Sequence, residues 1–519
     1  MLQSMQSPTD NSSANKRIAK NTLFLYLRMG VVLLITLYTA RVILKVLGVE
    51  DYGVYTVVCG FVSMFGVFNT SFASAITRYY NAAIGRGDEE EIREVYNTSL
   101  RIQAILALVV MAVIEAVGVW YINTKMVLPP ERLPIANVIF QFATFTMGLT
   151  TMQAPFTGII MARERIDYIA LVSILVAFLG LGNVFLLQII PGDKLLIYAI
   201  LHLLISVLSF LMYFVYAKRR FKEISFKRKI ESGKFKSMLS FSGWSILDPV
   251  AYTVRTQGSN MVLNLFFGPV VNAAYTLSNQ IALALDQLAK SIVTSFTPQL
   301  MQSYSAENYG RTLRLTCSMA KIGYILLMML GVPLMVEMPY VLHLWLGDTI
   351  PDYTVPFATC MIIVRIIDSF QKPLTRLTSA TGNIRTFMVI SSFLVMMVLP
   401  VGYVLLRLGF DPTSLFVAMA VITAIDLLIC LLITSRNFRE LSFGYYSTRV
   451  LIPSVLYAVL MVAVVIVPSR VMDVSFGRLV LTCVVSIIAT ACLSMLVLLD
   501  ADERTMVKQL VMKKMRRSK

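Results

Sequence analysis

Long apolar runs alternate with short polar connectors along the whole chain. A helix needs about 20 residues to cross the hydrocarbon layer, and fourteen runs reach that length. They fall at 22–47, 53–77, 96–122, 134–161, 169–190, 195–217, 241–267, 271–298, 315–345, 355–381, 387–407, 414–435, 449–468 and 478–499. Runs 7, 8 and 10 are the least apolar, and a hydropathy window is prone to miss them. An even number of crossings puts both termini on one side. Composition agrees: 57% of the 519 residues are apolar, 14% are charged, and mean hydropathy is +0.73. A soluble chain is about 25% charged, so this one has too little polar surface to coat itself. The pattern predicts an all-α polytopic membrane protein.

The net charge of +17 suggests nucleic acid in a soluble protein. Here the basic residues cluster in short connectors between apolar runs, which fits topology control better. Lys16, Arg17, Lys20, Arg86, Arg93, Arg163, Arg165, the dense stretch 218–236, Arg311, Arg314, Arg385, Arg436, Arg439 and the tail from Lys513 share one side. The opposite connectors hold Lys125, Arg132, Lys194 and Arg470. By the positive-inside rule both termini are cytoplasmic. The basic stretch reads as a topology determinant, with anionic lipid or an acidic partner as the alternative. The first 20 residues lack an apolar signal core, so the first span is expected to act as a retained signal anchor. Cys59, Cys317, Cys360, Cys430, Cys483 and Cys492 show no metal-type spacing and read as packing residues.

The basic stretch lies near the middle of the first twelve spans, and the sequences flanking it repeat at an offset of 220 residues. VILKVLGVEDYGVYTV at the first turn matches MVLNLFFGPVVNAAYTL at the seventh. Gly48 falls on Gly268, Tyr55 on Tyr275, Thr56 on Thr276 and Arg165 on Arg385. Matches in the same span phase argue for two six-helix bundles in parallel orientation. The expected organisation is a tail at 1–21, an N-lobe at 22–217, a basic linker at 218–240 and a C-lobe at 241–435. Spans 13 and 14 lie at 436–499 as an appendix, with a basic tail at 500–519. Gly48 and Gly268 sit where a chain turning between helices needs positive φ.

The string LGVEDYGVY at 47–55 and its counterpart GPVVNAAYTLSNQI at 268–281 resemble the polysaccharide and O-antigen flippases. That family belongs to the multidrug/oligosaccharidyl-lipid/polysaccharide exporter superfamily. The resemblance spans the chain and implies a MATE-like fold with alternating access around a V-shaped central cavity. It also implies an oligosaccharide substrate on a polyprenyl (di)phosphate, moved across the inner (plasma) membrane of a bacterium for O-antigen, lipopolysaccharide or another surface glycan. Partners then include membrane lipids, a coupling H+ or Na+, and polysaccharide polymerase machinery.

Charges at bilayer depth are costly and face a cavity or a partner. Span 10 carries Arg365, Asp368, Lys372 and Arg376 in a nearly straight stripe. Span 8 carries Asp286 and Lys290 four residues apart. Span 7 carries Asp248 and Arg255, and span 1 carries Arg28 and Arg41 on different faces. Arg and Lys bind phosphate through charge and fork geometry, so Arg28, Arg255, Lys290, Arg365, Lys372 and Arg376 are the candidate substrate-binding residues. The resemblance supports Arg28 through the family's use of first-helix basic residues. The structural alternative pairs Asp286 with Lys290 and Arg365 with Asp368. Asp426, Asp286 and Asp368 are candidates for ion coupling, Asp426 because it has no basic neighbour in sequence. Glu115 resembles it nearer the outer end. His202 reads as a packed core histidine. Pro155, Pro249, Pro333, Pro373 and Pro400 fall within spans and can kink them.

No P-loop is present, and the longest connectors are about 20 residues, short for an extramembrane catalytic domain. The chain reads as a non-enzyme that needs no cofactor. Two alternatives stay open. One is a drug/cation antiporter of the same superfamily, which acids in the first lobe's cavity would favour. The other is a membrane-embedded glycan polymerase or ligase, which would carry a large outer loop.

Overall fold

A computed structural model describes residues 8–225, 247–500 and 503–505. The N-terminal 1–7, most of the basic linker and the tail beyond 505 lie outside the described residues. All regular structure described is helical. Eleven described helices are long and apolar enough to cross a membrane, and the chain is a multi-pass membrane protein. Spans 7 and 8 fall outside those eleven, as expected, because Asp, Lys, Asn and Gln dilute their apolar runs. Span 10 is among them, whereas span 2 is not; Gly66–Arg86 is rich in Ser, Thr and Asn.

The first helix, α1, runs Pro8–Ser63, with Gly48 at φ 82° and ψ 168° inside it. Spans 1 and 2 are thus joined through a kink at Gly48. Next come α2 (Gly66–Arg86), α3 (Glu89–Thr124), α4 (Leu133–Ala162), α5 (Ile166–Leu186) and α6 (Lys194–Arg220). Carboxylates cap two of these. Asp88 accepts from the Glu91 N–H at the start of α3, and Asp193 from the Leu196 N–H at the start of α6, both at 3.0 Å. Span 7 is broken into α7 (Leu247–Thr253), a π-helical turn at Val254–Gly258 and α8 (Ser259–Phe267). Gly268 comes directly after it at φ 75°, matching Gly48. Both positions therefore have the left-handed backbone that the repeat implied.

Then come α9 (Pro269–Ser305), α10 (Tyr309–Val336), α11 (Met338–Leu346), α12 (Thr354–Thr381), α13 (Arg385–Met396), α14 (Val398–Arg407) and α15 (Thr413–Asn437). Span 9 is interrupted at Glu337 and span 11 at Met397, three residues before Pro400. By contrast, α4 and α12 continue through Pro155 and Pro373. Spans 13 and 14 contain α16 (Phe443–Tyr446), a π turn, α17 (Ile452–Val465), the short α18 (Val467–Val471) and α19 (Phe476–Leu493).

Contacts divide the chain into two units, Met1–Ala273 and Ala274–Lys519. The core of the first includes Tyr80, Ile92, Phe156, Ile159 and Tyr213 from α2, α3, α4 and α6. Its other anchor is amide chemistry. Asn264 bonds the Val127 N–H at 2.9 Å, and Asn272 donates to Asn260 Oδ1 at 2.7 Å and to its backbone carbonyl at 2.6 Å. Polar links of this kind hold helices together where lipid removes the hydrophobic driving force.

In the second unit, spans 13 and 14 pack into the core. Tyr446, Tyr457 and Met461 are fully buried among Tyr324, Phe370 and Leu431. Tyr446 Oη donates to the Phe370 carbonyl at 3.1 Å, and Tyr324 Oη to the Ser454 carbonyl at 2.7 Å. Lys321, fully buried on α10, reaches Asp500 at 2.7 Å and Glu503 at 3.1 Å. Arg478 on α19 pairs with buried Glu337 at 2.7 Å.

Candidate functional site

The densest intramembrane charge cluster among the described residues lies in the second unit, on α9 and α12. Asp286 is its centre, with 5% of its side chain exposed. Lys372 donates to Asp286 Oδ1, and Lys290, one turn along α9, lies 3.1 Å from Oδ2. Arg365 acts on the same carboxylate through space. It is also 3.5 Å from Asp368 and almost wholly buried. Among the described residues, three cations thus face two carboxylates in this cluster.

Helical geometry explains why these residues meet. Arg365, Asp368 and Lys372 lie on one stripe of an unbroken helix, so one face of α12 presents them to α9. Exposure grades along the stripe: Arg365 is buried, Lys372 has 24% of its side chain exposed, and Arg376 is exposed. Lys290, at 55%, is the accessible cation of the pair that shares Asp286. Both pairings of the structural alternative, Asp286 with Lys290 and Arg365 with Asp368, are present. The bond between Lys372 and Asp286, which links the two helices, is an addition that the sequence does not signal.

Asp426 on α15 is nearly inaccessible and has a different environment. Gln371 Nε2 donates to it at 2.8 Å, Ser391 Oγ at 2.9 Å and Cys430 Sγ at 3.3 Å. All three donors are neutral. Gln371 neighbours Lys372, so the two carboxylate sites meet on adjacent residues of α12.

Arg28 and Arg255 belong to the first unit. Arg255 sits in the π turn, 5% exposed, with its guanidinium 5.5 Å from the Tyr252 ring centre. A π turn inserts one extra residue into the helix and re-aims the side chains beyond it, and such turns recur at functional positions. Asp248's side chain lies outside the described positions, so its expected alignment with Arg255 is not described. Arg28 acts electrostatically on Tyr213 of α6. Arg41 is exposed. Glu115 accepts from Gln141 Nε2 at 3.0 Å.

His202 lines a cavity of about 160 Å³ with Tyr55, Cys59 and Thr146, and packs with the Tyr55 and Tyr198 rings, whose centres are 6.3 and 6.1 Å away. Helix positions that point into an internal gap carry the same hydropathy signal as packed ones, so sequence does not separate them. Lys321 and Glu337 are also absent from the sequence-based candidates; a lysine and a glutamate inside apolar runs are the signal that could have found them.

Comparison with known proteins identifies the family of this chain and the relatives of its fold. A profile described as polysaccharide biosynthesis protein matches residues 18–303, more than half of the chain. The chain belongs to the polysaccharide biosynthesis protein family. The match includes both LGVEDYGVY and GPVVNAAYTLSNQI, the segments that carry the resemblance. The uncharacterized membrane protein EpsK of Bacillus subtilis (strain 168) is 21% identical over 264 residues, 51% of this chain and 52% of EpsK. The chain therefore matches about half the length of that curated relative. Among solved structures, the lipid II flippase MurJ in its inward closed conformation superposes with a TM-score of 0.72 at 14% identity. That alignment covers 92% of this chain and 98% of MurJ. An inward-facing MATE multidrug resistance transporter of the MOP superfamily gives 0.65 at 16% identity, over 80% and 98%. This member of the polysaccharide biosynthesis family thus has the fold shared by MurJ and the MATE transporters.

Proposed function

We propose that this protein is a flippase that carries a polyprenyl-(di)phosphate oligosaccharide from the inner to the outer leaflet of a bacterial inner membrane by alternating access. The observation that carries the reading is the α9–α12 cluster: three cations against two carboxylates, at membrane depth, in a polysaccharide biosynthesis protein. A lipid-linked sugar carries phosphate that cannot enter hydrocarbon unaided. Arg365 and Lys372 offset its desolvation, while Asp286 and Asp368 hold those cations in place before substrate arrives. Lys290, already exposed, meets the phosphate first, and Arg376 extends the stripe. Arg28 of span 1 and Arg255 of span 7 are further cations for the headgroup; in the repeat plan Arg255 belongs to the C-lobe, although the contact division groups span 7 with the first unit. A shared carboxylate keeps each cation's affinity moderate, which suits release on the far side.

The two-lobe plan of six helices each, with both termini cytoplasmic, belongs to this reading. So do a role in O-antigen or a related surface glycan and contact with the polymerase machinery. Asp426 supports ion-driven return: a buried carboxylate with only neutral donors is suited to binding H+ or Na+. A drug/cation antiporter would need an anionic site, whereas among the described residues this cluster holds three cations and two carboxylates.

The test is export in a strain lacking the native gene. Arg365→Ala and Arg255→Ala should each abolish surface glycan while the protein reaches the membrane. Removing Asp368 together with Arg365 should not restore export. Full export by both single variants, or rescue by the paired deletion, would show that these residues are structural ion pairs.

A further inference from the structure

A second feature lies on the first unit, away from these charges. Along α6, beside Tyr168 at the start of α5, lies an open groove of about 520 Å³. One wall is a stripe on α6: Leu208, Leu211 and Val215, each about 40% exposed or more, ending at Arg219. From Leu208 to Arg219 is eleven residues, or about 16 Å at 1.5 Å per residue. That is about half of a 30 Å hydrocarbon core, one leaflet deep. The mouth is basic. Arg219 and Arg220 are exposed in the last turn of α6, and among the described residues neither has a carboxylate partner. Its floor is rigid. The Tyr168 and Tyr216 rings stack at 3.7 Å, Tyr168 Oη donates to the Met212 carbonyl at 2.9 Å, and Arg165, paired with Asp167, lies 5.8 Å from the Tyr216 ring centre.

We infer that this groove is a binding site for an anionic phospholipid of the cytoplasmic leaflet, its phosphate at Arg219 and Arg220 and one acyl chain along Leu208, Leu211 and Val215. Charge complementarity sets the headgroup sign: on the cytoplasmic side, where the proposed topology puts this end of α6, basic pockets between helices hold anionic lipid heads. Depth sets the tail: the groove is one leaflet long, which matches an acyl chain and not a polyprenyl chain several times longer.

The test is native mass spectrometry of the purified full chain, titrated separately with phosphatidylglycerol, phosphatidylcholine, polyprenyl phosphate and glycerol phosphate. Phosphatidylglycerol should bind preferentially. The double variant Arg219→Ala/Arg220→Ala should weaken it about thirtyfold, at about fivefold per surface cation. Leu211→Trp, which fills the groove and leaves the charge intact, should weaken it as well. Arg219→Lys/Arg220→Lys should retain it, which excludes misfolding. Arg436→Ala/Arg439→Ala, an equal charge loss elsewhere, should change nothing. Equal loss in that control, equal affinity for phosphatidylcholine, equal binding of glycerol phosphate, or tighter binding of polyprenyl phosphate at this groove would each overturn the assignment.

Discussion

Replacing Lys372 with Met separates support of the fold from service to the substrate. Lys372 is the residue through which α12 grips Asp286 on α9. Breaking a buried ion pair costs about 3–5 kcal/mol when the remaining charge is stranded. Asp286 is not fully stranded, because Lys290 stays 3.1 Å from its other oxygen. The expected cost is therefore smaller, about 2 kcal/mol. In Lys372→Met/Asp286→Asn the stranded charge is gone, and stability should return to within about 1 kcal/mol of the parent. Lys290 then has no anion on α9, so the cluster keeps two cations, Lys290 and Arg365, against Asp368. Thermal unfolding of the purified protein measures the first quantity, and surface-glycan export in a complemented strain measures the second. Stability should recover in the double variant while export stays at least tenfold below the parent. Recovery of both together would refute the phosphate role of Lys372 and leave it a structural tie.

Named contacts give three more expectations. Asp426→Asn should uncouple transport from an imposed ion gradient while substrate affinity stays within twofold, read by gradient-driven uptake in vesicles; unchanged uptake would remove Asp426 from coupling. Gly53→Ala should destabilise the first unit by about 3 kcal/mol, because a Cβ there would lie 1.9 Å from the Pro269 carbonyl oxygen, which backbone cannot relieve; an unchanged unfolding midpoint would contradict that close approach. Lys321→Met should cost about 2 kcal/mol by releasing Asp500 and Glu503, moderated because both acids are partly exposed; limited proteolysis near residue 500 should speed up, and an unaltered digestion rate would sink the clamp.

Legible in the sequence is whatever repeats at short range. Apolar runs of membrane length locate the helices, and the paired Gly48 and Gly268 mark turns whose positive φ the backbone confirms. Asp286 and Lys290 meet because four residues make one helical turn. Hidden from it is whatever depends on tertiary approach. Lys372 meets Asp286 from 86 residues away, and Lys321 meets Asp500 from 179 away, distances across which no periodicity speaks. Asp426 looks isolated in sequence because its neutral partners Gln371, Ser391 and Cys430 carry no charge signal. The π turn around Arg255 and the interruption at Glu337 preserve hydropathy while changing direction, so an apolar window reads straight through them.

The most direct measurement is reconstitution of the purified protein in vesicles with a fluorescent polyprenyl-diphosphate oligosaccharide, scoring how fast the sugar becomes accessible on the opposite face. The parent should move it far faster than protein-free vesicles, and Arg365→Ala should abolish that movement while remaining folded. No acceleration by the folded parent, or undiminished movement by Arg365→Ala, would contradict the account.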